Sequence, residues 1–423
     1  GVFMATCIAS GVGTLCMAFF ANKPFAMAPG MGLNSFYAVV VGNIVAMTGL
    51  SYVESFQAVL CVILIEGIVF LLLSILNVRE QIVHAIPPAI RMGISPGIGL
   101  MLMNIGFGSN VGVYDSEGNA YYMMSHFFGA LTPSLLKDQM GESYPTMILT
   151  VVTAFVGLFV IIILSQRGVK AAVLLGILVS SIVYWAGEAL FLGINPFASL
   201  AGASFAPPVG DMVSTTLFKF NFHNLMQVGW FAILSLVITY CVIDMFDTIG
   251  TLVGTAQRAG MLDENGDMPG LKQAMISDSV GTIVGSMTGT STVTTFIESA
   301  SGVEAGGRTG LAALTTGVLF LLAMFLAPIA GIITSAATSP ALIYVGMLML
   351  SGLRGLDFDD ISQTVPVFLM LIAMPISGSI GHGIGLALIS YCVIKLFTGK
   401  KEEVSLLTLV IAVIFLVKFF LTV

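Results

Sequence analysis

Charge is what this sequence has least of. Asp, Glu, Lys and Arg make up 9% of its 423 residues, against roughly 25% in an average soluble protein. That scarcity excludes a soluble helical fold, in which most helices need a polar face. No basic patch with interleaved aromatics is present, which excludes a nucleic-acid surface. The five cysteines (Cys7, Cys16, Cys61, Cys241 and Cys392) lie singly in apolar runs. Without CxxC spacing or a secreted-domain pattern they read as packing residues. No HExxH occurs, and no GxGD-like or Ser/Lys arrangement for proteolysis inside a membrane is evident. No metal site or cofactor is expected. Nothing resembles a signal peptide. The chain opens on Gly1 without an initiator methionine, so further N-terminal sequence is expected to precede it.

What is present is apolar. The hydrophobic share is 57% and mean hydropathy is +1.03. The runs Val2–Phe20, Val59–Leu76, Met147–Leu164, Ala171–Leu192 and Leu311–Ile333 are long enough to cross about 30 Å of hydrocarbon as helices. The expectation is an all-α polytopic membrane protein. The few charges gather in loops, so the net charge of −7 carries no information about partners. Alternating the spans puts twelve basic residues, from Lys23 to Lys401, on one side. Lys137 and Lys219 fall opposite, and Lys418 is ambiguous. The positive-inside rule makes the first side cytoplasmic. The long connections at 110–143 and 193–224 then face outside. "MLDENGDMPGLK" holds Asp263, Asn265 and Asp267 at calcium-loop spacing. Met268 and Ala274 replace its required glycine and closing glutamate, so it reads as a plain turn.

Two apolar regions are interrupted. "FAMAPGMGLNSF", 25–36, places a proline, two glycines and an asparagine where a helix would run unbroken. Far downstream, 285–310 reads "GSMTGTSTVTTFIESASGVEAGGRTG". In each, a short extended piece is expected ahead of a half-helix: Pro29 breaks the first, and "STVTTFI" has β-branched and aromatic character. Backbone at membrane depth is tolerated outside a helix only when buried in protein or lining a wet cavity. A pair of such segments is the best sequence pointer to a transporter site. The two extended pieces are expected to pair near the midplane, with the half-helix N-termini turned towards the site. The plainer alternative is that both are polar re-entrant loops that merely pack.

Carboxylates inside apolar runs are functional candidates. "YCVIDMFDTIGTLVG" places Asp244 and Asp247 three residues apart on one helical face, with Thr251 one turn after Asp247. Glu298 opens the second half-helix. Asp244 is equally compatible with bonding structural groups only. Asp278 reads as a helix-bridging structural acid. Glu66 has no evident partner in sequence, and a structural or interface role is expected for it. Asn34 either bridges the site or caps its half-helix. His382 is a candidate proton carrier, though an interface histidine is the expectation.

Three separated motifs carry a family resemblance: "ANKPFAMAPGMGLNSFYAVV", "FDTIGTLVGTAQRAGML" and "GTSTVTTFIESASGVEAGGRTGL". Together they resemble the AzgA-like purine permeases of the nucleobase:cation symporter-2 (nucleobase–ascorbate transporter) family, over the whole chain. The resemblance implies a seven-plus-seven inverted repeat, a uracil-permease-like fold. Its core domain would comprise 1–76 and 225–335, and its gate domain 77–224 and 336–423. The two short strands would lie in broken segments 3 and 10. Val2–Phe20 would be the second span, the first being absent from this sequence. The apolar stretch 404–421 exceeds the family count, and whether it crosses is open.

By the same resemblance the acids of segments 8 and 10 fall on Asp247 and Glu298. Phe296 is then a stacking ring, and Asn34 and Met31 are contacts. The implied activity is import of adenine, hypoxanthine or guanine by proton symport with elevator-type alternating access, in a bacterial inner membrane and as a possible homodimer. Glu298, Asp247 and Asp244 are the candidates for carrying the proton. The partners expected are a purine and the lipid bilayer. The rival reading is an anion transporter or channel of the same fold class. Two acids argue against it, since an anion site prefers a cation or a bare helix terminus. A non-transporting receptor of the same fold is not separable by sequence.

Overall fold

In a helix that is apolar all round, periodicity no longer marks the ends and capping must. Ser51 shows this: its hydroxyl accepts from the Glu54 amide at 3.3 Å, and the Glu54 carboxylate accepts from the Ser51 amide at 3.0 Å. This capping box starts a 24-residue helix. At 1.5 Å per residue it is about 36 Å long, enough to cross a bilayer.

The structure is a computed structural model. It describes residues 1–78, 85–108, 141, 144–169, 171–207, 209–264, 268–296 and 298–421. In chain order the first elements are α1 (Val2–Cys16, prolonged by a π-turn over Met17–Ala21), β1 (Met27–Pro29), α2 (Met31–Thr48), α3 (Tyr52–Ile75) and α4 (Pro88–Phe107). Next come α5 (Tyr144–Gln166), α6 (Ala172–Gly187), α7 (Val209–Thr215), α8 (Phe222–Gln227), α9 (Trp230–Ala259) and α10 (Leu271–Thr288). The chain then forms β2 (Val293–Thr295), α11 (Ser299–Glu304), α12 (Gly310–Ala323) and α13 (Ala327–Ala330). It closes with α14 (Ser335–Met349), α15 (Ile361–Ser377), α16 (Ile380–Phe397) and α17 (Leu406–Leu421).

Among the described residues nine helical stretches are long and apolar enough to cross a membrane. This is a multi-pass, mostly helical membrane protein, and its described strands are two, of three residues each. The apolar part of the C-terminal stretch, Leu406–Val417, is shorter than those nine. The connection at 110–140, and Asn265 and Asp267 of the calcium-loop-like turn, lie outside the described residues.

The chain divides into two compact units. One comprises Gly1–Gly97, Ala206–Phe325 and Gly352–Val423. At its centre α10 packs on α1 and on α3. Helix α10 is polar for a membrane segment, and 11 of its 18 residues are buried. Protein, rather than lipid, surrounds it. Gly281 permits the close approach: a Cβ there would lie 2.6 Å from Met27 Cε of β1. The second unit comprises Ile98–Phe205 and Leu326–Ser351. There α5, α6 and α14 pack pairwise, and the Trp185 indole N–H donates to the Ile332 carbonyl at 2.9 Å. These are divisions by contact. A core and a gate are divided by motion, so the two sets of boundaries need not coincide.

One expectation about charge fails. Lys395 is no loop residue: it lies in the last turn of α16 with its side chain fully buried. Its Nζ is 2.6 Å from Glu403 Oε2 and 4.0 Å from Asp360 Oδ2. A lysine stem passes through an apolar layer readily when its ammonium finds carboxylates beyond it. This pair ties the turn before α17 to α15 and α16. Phe415 of α17 is fully buried over Gly385 of α16, and the Thr408 hydroxyl donates to the Ala85 carbonyl at 2.7 Å.

Candidate functional site

The two interrupted segments meet. β1 and β2 pair antiparallel, with Met27 opposite Thr295, Ala28 opposite Thr294 and Pro29 opposite Val293. Three residues a side cannot hold a sheet in water. The pair persists here because its surroundings hold Met27 of β1 and all three residues of β2.

Six consecutive residues, 291–296, show how. The Ser291 hydroxyl donates to Asn34 Oδ1 on α2. The Thr292 hydroxyl donates to Glu66 Oε2 on α3 at 3.0 Å. The Val293 carbonyl accepts from the Thr282 hydroxyl of α10 at 3.1 Å. Asp278 Oδ1, also on α10, accepts from the Thr294 hydroxyl and from the Thr295 amide, each at 3.0 Å. The Phe296 amide donates to the Ala26 carbonyl at 3.2 Å. On the other side, the Met27 amide donates to Thr14 Oγ1 at 2.9 Å, and the Ala26 amide donates to Ser299 Oγ at 3.0 Å. Buried backbone polar groups are costly unless partnered, and here small hydroxyls and the Asp278 carboxylate stand in for missing neighbour strands.

Helix α9 brings its acids to this pair. It packs against β2, α10 and α11. Asp244, Asp247, Thr248 and Thr251 recur at three- and four-residue spacing and share a face. Asp244 and Thr248 are fully buried, Asp247 is 9% exposed and Thr251 4%. Thr248 is the junction: its Oγ1 lies 2.9 Å from Asp278 Oδ2, 2.7 Å from Thr294 Oγ1 and 3.4 Å from Asp244 Oδ1. One hydroxyl has one proton, so the two carboxylates compete for it, while the same oxygen can accept from Thr294. Asp278 therefore bridges α9, α10 and β2, the structural role expected for it.

The remaining candidates are placed as follows. Glu298 stands between β2 and α11, three residues beyond the strand, and is half-buried. Phe296 is half-buried too, its ring edge-on to Phe320 of α12 with centroids 6.4 Å apart. Asn34 is exposed and bonds across to the second broken segment; the N-cap of α2 is Gly30. Met31 opens α2, and its side chain lies outside the described residues. The expected half-helices are unequal, since α2 has 18 residues and α11 six. His382 turns to α17, its ring edge-on to Phe419 at 5.6 Å. Among the described residues no cluster of three metal-ligating side chains occurs.

The sequence reading missed Thr14, Thr248, Thr292 and Ser299 as holders of the strand pair. One signal was available. "TGTSTVTT", 288–295, carries more hydroxyls than a lipid-facing segment can satisfy, so each needs a partner within the protein.

The arrangement offers carboxylates able to accept from ligand N–H groups, and an aromatic ring. Comparison with known proteins gives this geometry its context. The Permease family matches residues 1–137 and 134–380. The chain is 37% identical over 418 residues to the adenine permease AdeP of Escherichia coli, covering 99% of this chain and 84% of that protein. It is 35% identical over 423 residues to the guanine/hypoxanthine permease PbuO of Bacillus subtilis, covering 99% and 89%. Among solved structures, the transmembrane domain of the cyanobacterial bicarbonate transporter BicA superimposes with a TM-score of 0.53 at 14% identity, covering 92% of this chain and 97% of that one. At that identity the likeness is one of fold.

Proposed function

The chain belongs to the Permease family, the nucleobase:cation symporter-2 group that its motifs resemble, and from that premise we propose that it imports a purine nucleobase by proton symport. The observation that carries the purine reading is the end-to-end match to relatives named for adenine and for guanine/hypoxanthine, over 99% of this chain. The site chemistry is consistent with such a substrate. A purine is planar and mostly neutral, with N–H and bare-nitrogen edges. Glu298 and Asp247 accept from its N–H groups. Amides of the broken segments meet its ring nitrogens, and Phe296 covers a face. Asn34, Met31 and Thr251 complete the lining. Glu298, Asp247 or Asp244 takes the coupling proton. Acids within a membrane protein's interior are the usual carriers of a coupling proton.

In this reading the core, 1–76 and 225–335, carries the site past the gate, 77–224 and 336–423, in a homodimer within a cell membrane. The test is uptake of labelled adenine, hypoxanthine, guanine and uracil into cells expressing the protein, with and without a protonophore. Saturable purine uptake that collapses with the proton gradient is the expected result. Protein present in the membrane with no base taken up would overturn the reading. Purine uptake insensitive to the protonophore would remove the proton and leave the substrate.

A further inference from the structure

Glu66 is used by nothing in the mechanism above, yet its burial is costly. It is the fifteenth residue of α3, about 21 Å along that helix and so within the hydrocarbon, and it is fully buried. A carboxylate at that depth persists where it makes an interaction the fold needs. Its Oε2 accepts from Thr292, which is also fully buried and immediately precedes β2. The next residue shows that the approach is built. Gly67 faces α10, where a Cβ would lie 2.8 Å from Ile283 Cγ1 and 3.1 Å from the Ile283 amide nitrogen. A side chain at 67 would push α3 away from α10 and carry Glu66 off the strand. From 292 onward the chain runs through Val293, Thr294 and Thr295 to Phe296, and Glu298 follows. Among the described residues, this bond ties the lead-in of β2 to α3, whereas its other holders come from α10, α9 and the first broken segment.

We propose that Glu66 is a positioning residue of the site: by holding the Thr292 hydroxyl it fixes the lead-in of β2, and with it the placement of Phe296 and Glu298. The bond asks Glu66 only to accept. A neutral amide oxygen in the same place suffices, and the charge of Glu66 is not part of the role. The uptake arm of the test rests on the purine reading; the exchange arm does not.

The experiment compares Thr292→Val, Thr292→Ser, Glu66→Leu and Glu66→Gln in the full chain. It reads KM and Vmax for uptake of the purine that the wild type transports, and amide hydrogen exchange over 293–298 in purified protein. Thr292→Val and Glu66→Leu are expected to raise KM about tenfold, as for loss of one buried hydrogen bond, with a smaller change in Vmax. Both should speed exchange at 293–296. Thr292→Ser and Glu66→Gln should stay within about twofold of wild type, with an unchanged pH profile of uptake. The double variant Glu66→Leu/Thr292→Val should be no worse than either single one, as for two ends of one bond. Wild-type KM and exchange in Thr292→Val would overturn the proposal. So would Glu66→Gln being as defective as Glu66→Leu, because the charge would then carry the role. Should Glu66→Leu fail to fold, the Thr292 pair decides. A wild type that takes up no purine bears on the transport reading alone, and the exchange arm still decides this one.

Discussion

The two halves of the strand pair are held in different ways. β1 is Met-Ala-Pro and has no polar side chain to offer. Its neighbours therefore reach for its backbone, with Thr14 and Ser299 supplying single hydroxyls to the amides of Met27 and Ala26. β2 is Val-Thr-Thr, and it is gripped largely through side chains, by Glu66 before it and by Asp278 and Thr248 along it. Both strands face the same physical problem, unsatisfied backbone at membrane depth. The solution by hydroxyls is small, one from α1 and one from α11. The grip on β2 recruits three helices, with carboxylates from α3 and α10 and the Thr248 hydroxyl from α9. The strand leading to Glu298 is thus the more heavily fixed of the two, which suits a segment that presents an acid to a ligand.

Variants that break this contrast differ in size. Asp278→Ala should have the largest effect. It strands the Thr295 amide in a dry site, at about 1–3 kcal/mol, and takes an acceptor from the Thr294 and Thr248 hydroxyls, which keep only each other and the more distant Asp244. Little folded protein should reach the membrane, and the purified remainder should melt well below wild type. Glu298→Gln comes next and is of another kind. It leaves both strands as they are, so melting should be unchanged while proton-coupled uptake falls by an order of magnitude or more. Normal uptake by this variant would remove Glu298 from the site. Thr14→Val tests the β1 side. It is nearly isosteric and takes from Met27 both the acceptor of its amide and a donor to its carbonyl, so a loss of about 1–3 kcal/mol is expected, smaller than for Asp278→Ala. Equal melting losses in the two would show that both strands are held alike.

The smallest effect lies away from the strands, where Lys395, Asp360 and Glu403 anchor the turn before α17. Asp360 lies outside the apolar spans. Hydrogen bonds from Ser362 and Gln363, with the nearby Lys395 charge, lower its pKa to about 2. The folded form therefore favours the carboxylate. Its contribution is full above the ordinary carboxylate pKa of about 4 and is lost as pH falls towards 2. Asp360→Asn should melt slightly below wild type near neutral pH, with the gap closing over that window. A gap that persists unchanged at pH 2 would show that the carboxylate's charge is not what matters.

Much of this was legible in the chain. The apolar runs gave the helices, because a segment without polar side chains has few other ways to cross a bilayer. Pro29 and the hydroxyl-rich 288–295 marked the interruptions, because both oppose an unbroken lipid-facing helix. Asp278 could be read as structural. Lys395 was misread as a loop charge, since periodicity cannot show that carboxylates wait beyond an apolar layer. The partner of Glu66 was illegible for a related reason: Thr292 is 226 positions away, and any of several hydroxyls in its run would have matched as well.

By itself the sequence determined that this is a helical membrane protein with two broken segments and a small set of intramembrane acids. Those properties follow from transfer energies and backbone chemistry, which act residue by residue. Only the tertiary structure decided which hydroxyl meets which carboxylate, and that β2 is gripped by acids where β1 is held by hydroxyls. A hydrogen bond is set by ångströms of separation, and separation depends on how closely α3, α9 and α10 pack.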